Sequence, residues 1–187
     1  MSSVGSGSST LLFDAEAVAA CVDGLAGTLA GWMSARPGEA WAMVGVQRGG
    51  VPLVERITAA LKRRGAPIPE IGSVDITFYR DDLYRGIDRS VLGETHLPME
   101  VEGAGLILVD DVLFTGRTVR AALGEVWDYG RPAFIRLVTL VDRGGHELPI
   151  RPDLAGVTLT ARRQDRVVVR WAGSEGATQD GVWLESA

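Results

Sequence analysis

The chain has 187 residues, of which 46% are hydrophobic and 23% charged, with a formal net charge of -5 and a single cysteine. That length predicts one domain, burying about 70% of the surface its unfolded chain exposes, with no need of disulfides or a structural metal. No apolar run approaches the roughly 20 residues that cross a bilayer, and the negative balance argues against a protein whose main business is coating nucleic acid, while leaving room for a local basic patch.

Residues 1–10, Met1-Ser-Ser-Val-Gly-Ser-Gly-Ser-Ser-Thr10, lack the basic and long apolar regions of a secretory signal and read as a flexible tail. Residues 11–187 read as a single domain, and the expected location is cytoplasmic. From Asp14, apolar Val18, Val22, Leu25, Leu29, Trp32 and Met33 recur at the three- and four-residue steps of one helix face, until Pro37-Gly38 breaks the pattern. Cys21 sits on this helix, where a thiol acts as a small half-buried hydrophobe rather than a nucleophile. Trp41 to Val46 predicts a short buried strand, Gly45 to Gly50 a glycine-rich turn, and Val51, Val54, Ile57 and Leu61 a second helix ending near Arg64-Gly65.

Val74 to Phe78 alternates as a half-exposed strand does. Tyr79 to His96 is charged and aperiodic, which predicts a long flexible loop or a protruding hairpin, and long loops in compact domains are often active-site lids. A buried strand is expected over Gly105 to Val109, a helix over Thr118 to Trp127 and another strand over Phe134 to Val141. The fold class is therefore α/β, a mostly parallel central sheet with helices on both faces. Val167 to Trp171 and Val182 to Leu184, joined by the loose Gly173 to Gly181, read as a C-terminal β hairpin.

The chemistry concentrates where the Gly105 strand ends. Asp110-Asp111 fall at a carboxyl end, the place where open α/β sheets bind ligands. Neighbouring strand residues face opposite ways, so both acids address one ligand only if the chain leaves the strand there. The turn Phe114-Thr-Gly-Arg-Thr118 leads into a helix N-terminus, whose free N–H groups suit a phosphate monoester. Two acids beside a phosphate require something neutral or cationic between them, and a ribose diol meets that need. A Walker loop is excluded, because neither this turn nor Gly45 to Gly50 ends in Gly-Lys-Ser/Thr.

Val109 to Ala121 resembles the phosphoribosyl-pyrophosphate signature of type I phosphoribosyltransferases. Asp75-Ile-Thr-Phe-Tyr-Arg-Asp-Asp-Leu83, Asp128-Tyr-Gly-Arg-Pro132, Leu140-Val-Asp-Arg-Gly144 and Glu147-Leu-Pro-Ile-Arg151 are similar to one branch. That branch is the family of bifunctional pyrimidine operon attenuation regulators and uracil phosphoribosyltransferases (PyrR). The likeness runs from about Leu53 to Gly156. It implies the type I phosphoribosyltransferase fold and the reaction of uracil with phosphoribosyl pyrophosphate to give UMP and pyrophosphate, with Mg2+.

On this resemblance Asp110 and Asp111 hold the ribose hydroxyls and favour positive charge on the ring. Val112, Leu113, Phe114, Thr115, Gly116, Arg117 and Thr118 form the 5-phosphate turn. Arg48 and Gly49 belong to the pyrophosphate loop, Arg80 or Arg89 reaches in from the lid, and Arg143 contacts the nucleotide. The Val141 to Gly144 turn is the hood that reads the base. Where the family has Thr-Arg-Gly, this chain has Arg48-Gly49-Gly50, which shifts the guanidinium by one position. A homodimer or homotetramer is implied.

An RNA-binding, UMP-sensing attenuator is the alternative function. RNA-binding family members carry basic residues on the first helix and a His-Arg pair after Asp-Arg-Gly. Here Asp14 to Trp32 holds no Lys or Arg and the pair is Gly145-His146, so lower RNA affinity is expected.

Overall fold

The computed structural model describes residues 8–76, 95–97, 101–174 and 176–186. In chain order the elements are β1 (Ser9–Phe13), α1 (Ala15–Ser34), β2 (Trp41–Val46), α2 (Gly50–Arg63), β3 (Glu70–Val74) and β4 (Gly105–Leu113). They continue with α3 (Arg117–Asp128), β5 (Phe134–Asp142), β6 (Leu154–Thr158), β7 (Arg166–Arg170) and β8 (Gly181–Glu185). Five strands form a parallel sheet in the order β3-β2-β4-β5-β6, and three form a second, antiparallel sheet in the order β1-β8-β7.

Helix α1 starts where Asp14 caps it, the carboxylate accepting the Ala17 N–H at 2.9 Å. Its Val18, Val22, Leu25, Leu29 and Met33 are buried with Leu53, Ile57 and Leu61 of α2 against Ile107 and Val109 of β4. Across the sheet, Leu106 and Leu108 of β4 pack with Val119, Ala122 and Val126 of α3. Helices thus cover both faces, as the alternating pattern predicts. The second sheet joins the core on the side of α1 and α2 through Val167, Trp171 and Val182.

Several elements depart from the sequence reading. Helix α1 is long and apolar enough, by length and composition, to cross a bilayer. Its buried stripe belongs to the core, so the apolarity serves packing here. Strand β1 begins at Ser9, inside the stretch read as a tail, because Ser9 and Thr10 pair with Glu185 and Leu184 of β8. Strand β3 covers Glu70–Val74, not Val74 to Phe78. It runs beside β2 from Ala42↔Glu70 to Val46↔Val74, and beyond Val74 the Asp75 N–H turns to the Thr95 hydroxyl. Thr77 and Phe78 lie outside the described residues. Strand β6 escaped the reading because its partly exposed edge residues carry no alternation, and β4 runs four residues past Val109, through both acids.

The two sheets are tied near the future site by one side chain of α2. Arg56 forms a two-point ion pair with Asp180, at 2.5 and 2.6 Å, and its guanidinium lies 4.4 Å from the centre of the Trp171 ring. Asp180 also accepts the Ala172 N–H, so the pair fixes the end of β7 and the start of β8 against α2. Both side chains are mostly buried, so truncation leaves a partly desolvated carboxylate. Arg56→Ala is expected to lower the unfolding free energy by about 2 kcal/mol, the scale of hydrogen bonds to charged groups. Urea unfolding checks this, and a variant as stable as the parent would show that the tie carries no load.

Candidate functional site

β4 lies in the middle of the sheet, bonded to β2 and β5, so its carboxyl end is held on both sides. Up to Val109 its side chains alternate between the two cores. Past the acids the alternation has slipped: Val112 packs with the α1/α2 core and Leu113 with the α3 core, the reverse of the earlier parity. The strand therefore continues while its facing changes at Asp110-Asp111, which meets the geometric need set by the sequence. Asp110 Oδ1 accepts the Asp111 N–H at 3.0 Å, and Asp111 Oδ1 accepts the Val112 N–H at 2.8 Å. Asp110 is buried and Asp111 half-buried.

Both carboxyls are held above the ordinary carboxylate range. Burial is the chief cause for each, and the neighbouring Asp111 charge pushes Asp110 further up. Two desolvated like charges side by side create a local demand for positive charge or hydroxyl donors.

The turn between β2 and α2 supplies the opposite wall. A side chain at Gly49 would fall on the Asp111 carboxylate, and one at Gly50 on the Val109 carbonyl oxygen. These glycines let the turn lie directly against β4. Gly49 precedes α2 without a side-chain cap, which leaves the first N–H groups of the helix for a ligand. Arg48 stands beside them at the mouth of the cleft.

The turn between β4 and α3 closes a third side. Gly116 precedes α3 with φ +89°, a conformation only glycine adopts easily, and again no side chain caps the helix. Thr115 Oγ1 accepts the Arg117 N–H at 3.4 Å. The Arg117 guanidinium turns outward to Glu147, at 2.9 Å, so Arg117 offers the site only its backbone. Just past β5, Arg143 is buried and donates to the carbonyl oxygens of Asp165 at 2.7 Å and Arg162 at 2.8 Å. Its guanidinium stacks 3.9 Å from the Phe114 ring centre. Burial pulls its pKa down and the Asp165 charge opposes this. Arg143 thus holds the hood segment in place as well as lining the cleft.

These walls enclose a cleft of about 810 Å³. It brings together the predicted Arg48, Gly49, Asp110, Asp111, Val112, Phe114, Thr118 and Arg143. Leu113, Thr115, Gly116 and Arg117 belong to the same turn without lining the cleft, Leu113 being a core residue. Arg80, Arg89 and nearly all of the lid lie outside the described residues. The reading missed the fourth wall, β7 with Arg166 to Trp171, and also Gln47, Pro52 and Ile76. The apolar run Val167-Val-Val169 announced a strand, but only the packing of the second sheet sets it over the acids. Among the described residues no group of three or more His, Cys, Asp or Glu could hold a metal ion.

Residues 14–167 match the phosphoribosyl transferase domain. The bifunctional protein PyrR of Chloroflexus aurantiacus is 48% identical over 146 residues, which cover 78% of this chain and 80% of that protein. The bifunctional protein PyrR of a Roseiflexus species is 45% identical over 143 residues, 76% of this chain and 78% of that one. This chain belongs to the PyrR family. Among solved structures, the hypoxanthine phosphoribosyltransferase of Trypanosoma cruzi superposes with a TM-score of 0.69 at 17% identity, covering 95% of this chain and 97% of that one. The Leishmania tarentolae HGPRT-ase, solved in complex with GMP, has a TM-score of 0.69 at 17% identity, covering 94% and 95%. At these identities the structural likeness is one of fold, and this PyrR-family chain has the type I phosphoribosyltransferase architecture and is a transferase of that kind.

The acid pair yields a prediction with a definite sign. A carboxyl whose pKa is raised by folding stabilises the fold below its unfolded pKa, and that contribution is lost as pH climbs through the folded value. Asp110→Asn removes the loss. The variant is therefore expected to be more stable than the parent at pH 7, with the gain shrinking toward pH 4. Thermal unfolding of the ligand-free protein across this range checks it; a variant destabilised at every pH would contradict the assignment of burial and like charge as the cause.

Proposed function

We propose that this PyrR-family chain is a uracil phosphoribosyltransferase, converting uracil and phosphoribosyl pyrophosphate to UMP and pyrophosphate. The observation that supports it most directly is the placing of two adjacent carboxylates, one buried and one half-buried, between two helix N-termini that carry no side-chain cap. A sugar bearing a phosphate at one end and a pyrophosphate at the other fits that sequence of charges.

In the reaction uracil N1 bonds to ribose C1, the C1–oxygen bond breaks with its electron pair leaving on pyrophosphate, and the N1 proton passes to solvent. Positive charge builds on the ring as the bond opens. Asp110 and Asp111, already short of counter-charge, favour that state over the neutral ground state. The α3 N-terminus with Thr118 holds the 5-phosphate, and the Arg48–Gly50 turn receives the departing pyrophosphate. Strand β7 faces the acids across the cleft, and its backbone is available to a base on the ribose C1.

Mg2+ is part of this proposal. It keeps several waters and prefers phosphate oxygens, so it would be held mainly by the pyrophosphate itself, which leaves Asp110 and Asp111 to the ribose hydroxyls. When bound it spreads the charge of the leaving pyrophosphate.

The relatives' name supports a second reading, an attenuator that binds RNA. Arg117, Arg162 and Arg163 project on one side of the hood with their side chains more than half exposed. Against it, each of the three is paired with a carboxylate, Glu147 or Asp165, and α1 offers no cation. Gel shift against pyrimidine leader RNA with and without UMP decides this reading. Self-association fits the exposed Trp127 and Tyr129 at the end of α3.

The enzyme reading is tested by supplying phosphoribosyl pyrophosphate and Mg2+ with a panel of bases. Uracil is expected to be the base consumed, and Asp111→Asn is expected to lower kcat by about 100-fold, the scale of losing a group that stabilises developing charge. Preference for another base, or a variant with unchanged turnover, would overturn it.

A further inference from the structure

The segment after β5 is wound around a single oxygen. Asp142 Oδ1 accepts the Gly144 N–H at 3.0 Å and lies 2.7 Å from His146 Nε2. A carboxylate only accepts, so the Nε2 nitrogen carries the hydrogen of this contact. The side chains are 8% and 11% exposed, so water does not compete for the bond. Asp142 itself is fixed by the sheet, opposite Leu113 of β4 and with its carbonyl accepting the Leu159 N–H.

What this winding shapes is the far side of the sugar-phosphate turn. Gly144 and Gly145 both have positive φ, and a side chain at Gly145 would meet the Phe114 ring at 2.7 Å. The loop thus rests on Phe114, whose ring also stacks on the Arg143 guanidinium. Directly after His146, the N–H groups of Glu147 and Leu148 both donate to the Thr115 carbonyl at 3.1 Å. Leu148 and Ile150 then flank Gly116. The Phe114–Thr118 turn, whose helix has no side-chain cap of its own, is therefore braced from outside by residues 144–150, and His146 sits at the centre of that brace.

We propose that His146 is a positioning residue for the Phe114–Thr118 turn, acting through Asp142 and the loop backbone on the grip of the substrate's 5-phosphate. The imidazole is buried against Asp142 and does not line the cleft. The inference rests on the sugar-phosphate site described above, and one arm of its test needs no ligand.

His146→Ala removes the donor, and His146→Gln returns an amide N–H of similar reach. In the free protein, the backbone amide resonances of Thr115 to Thr118 are expected to shift in His146→Ala and to stay near the parent positions in His146→Gln. With ligand, His146→Ala should raise the Kd for ribose 5-phosphate and the KM for phosphoribosyl pyrophosphate about tenfold, the worth of one well-made buried hydrogen bond. The uracil KM should stay within about twofold, and Gln should recover most of the loss. Unmoved amide resonances in His146→Ala would overturn the proposal, whatever the base specificity. So would equal losses for Ala and Gln, or parallel losses for both substrates that track a fall in melting temperature. Absence of uracil turnover in the parent, with the amide shifts as expected, would instead remove the uracil reading and leave the brace standing.

Discussion

Two carboxylates forced next to each other at the end of a central strand set the terms for everything around them. Asp110 is buried and Asp111 stands beside it, so each charge is deprived of water and Asp110 also feels its neighbour. Their partners are backbone N–H groups one residue on, which orient the oxygens without neutralising them. A protein selected for stability alone would replace such a pair with apolar side chains of similar volume. Keeping it amounts to storing an electrostatic demand that a ligand bringing positive charge or hydroxyl donors satisfies. The demand also explains the neighbouring glycines. Gly49 has no side chain because the Asp111 carboxylate occupies that space, and Gly50 none because the Val109 carbonyl does. The turn before α2 can then approach the acids without a side chain holding them apart.

Much of this architecture was legible in the amino-acid order. The apolar stripe from Val18 to Met33 marked α1, the runs at Trp41, Gly105 and Phe134 marked the strands, and the acids followed by Thr115-Gly-Arg-Thr118 marked the site. These signals are local: a stripe, a run or a turn is written within a dozen residues. What escaped is what long-range pairing decides. Ser9 and Thr10 become strand only because β8 lies beside them, and β6 only because β5 presents an edge. The slip of facing across the acid pair is invisible to period counting, which extends one parity along a strand. Val167 to Val169 could be read as a strand, while its place opposite Asp110 depends on two sheets meeting. Arg117 and Arg143 show the limit for side chains. Each was identified as belonging to the site, yet one guanidinium pairs outward with Glu147 and the other is spent largely on the carbonyl oxygens of Arg162 and Asp165.

The cleft has walls from two sheets, and among the described residues no strand-to-strand hydrogen bond joins the β3-β2-β4-β5-β6 sheet to the β1-β8-β7 sheet. Apolar packing through Val167, Trp171 and Val182 supplies attraction, but burial is non-directional and does not set a distance to a fraction of an ångström. Two arginines supply direction. Arg56 meets Asp180 at two points and stacks on Trp171 at one end of β7. Arg143 meets the carbonyl oxygens of Arg162 and Asp165 and stacks on Phe114 at the other. Each guanidinium is planar, so its in-plane donors and its face fix different directions at once. Because both are mostly buried, screening by salt weakens them far less than it would a surface pair. The β7 wall of the cleft is thereby held at set positions relative to the acids, and fixed walls are what a reaction between two bound ligands requires: reacting atoms a little over 3 Å apart and in line.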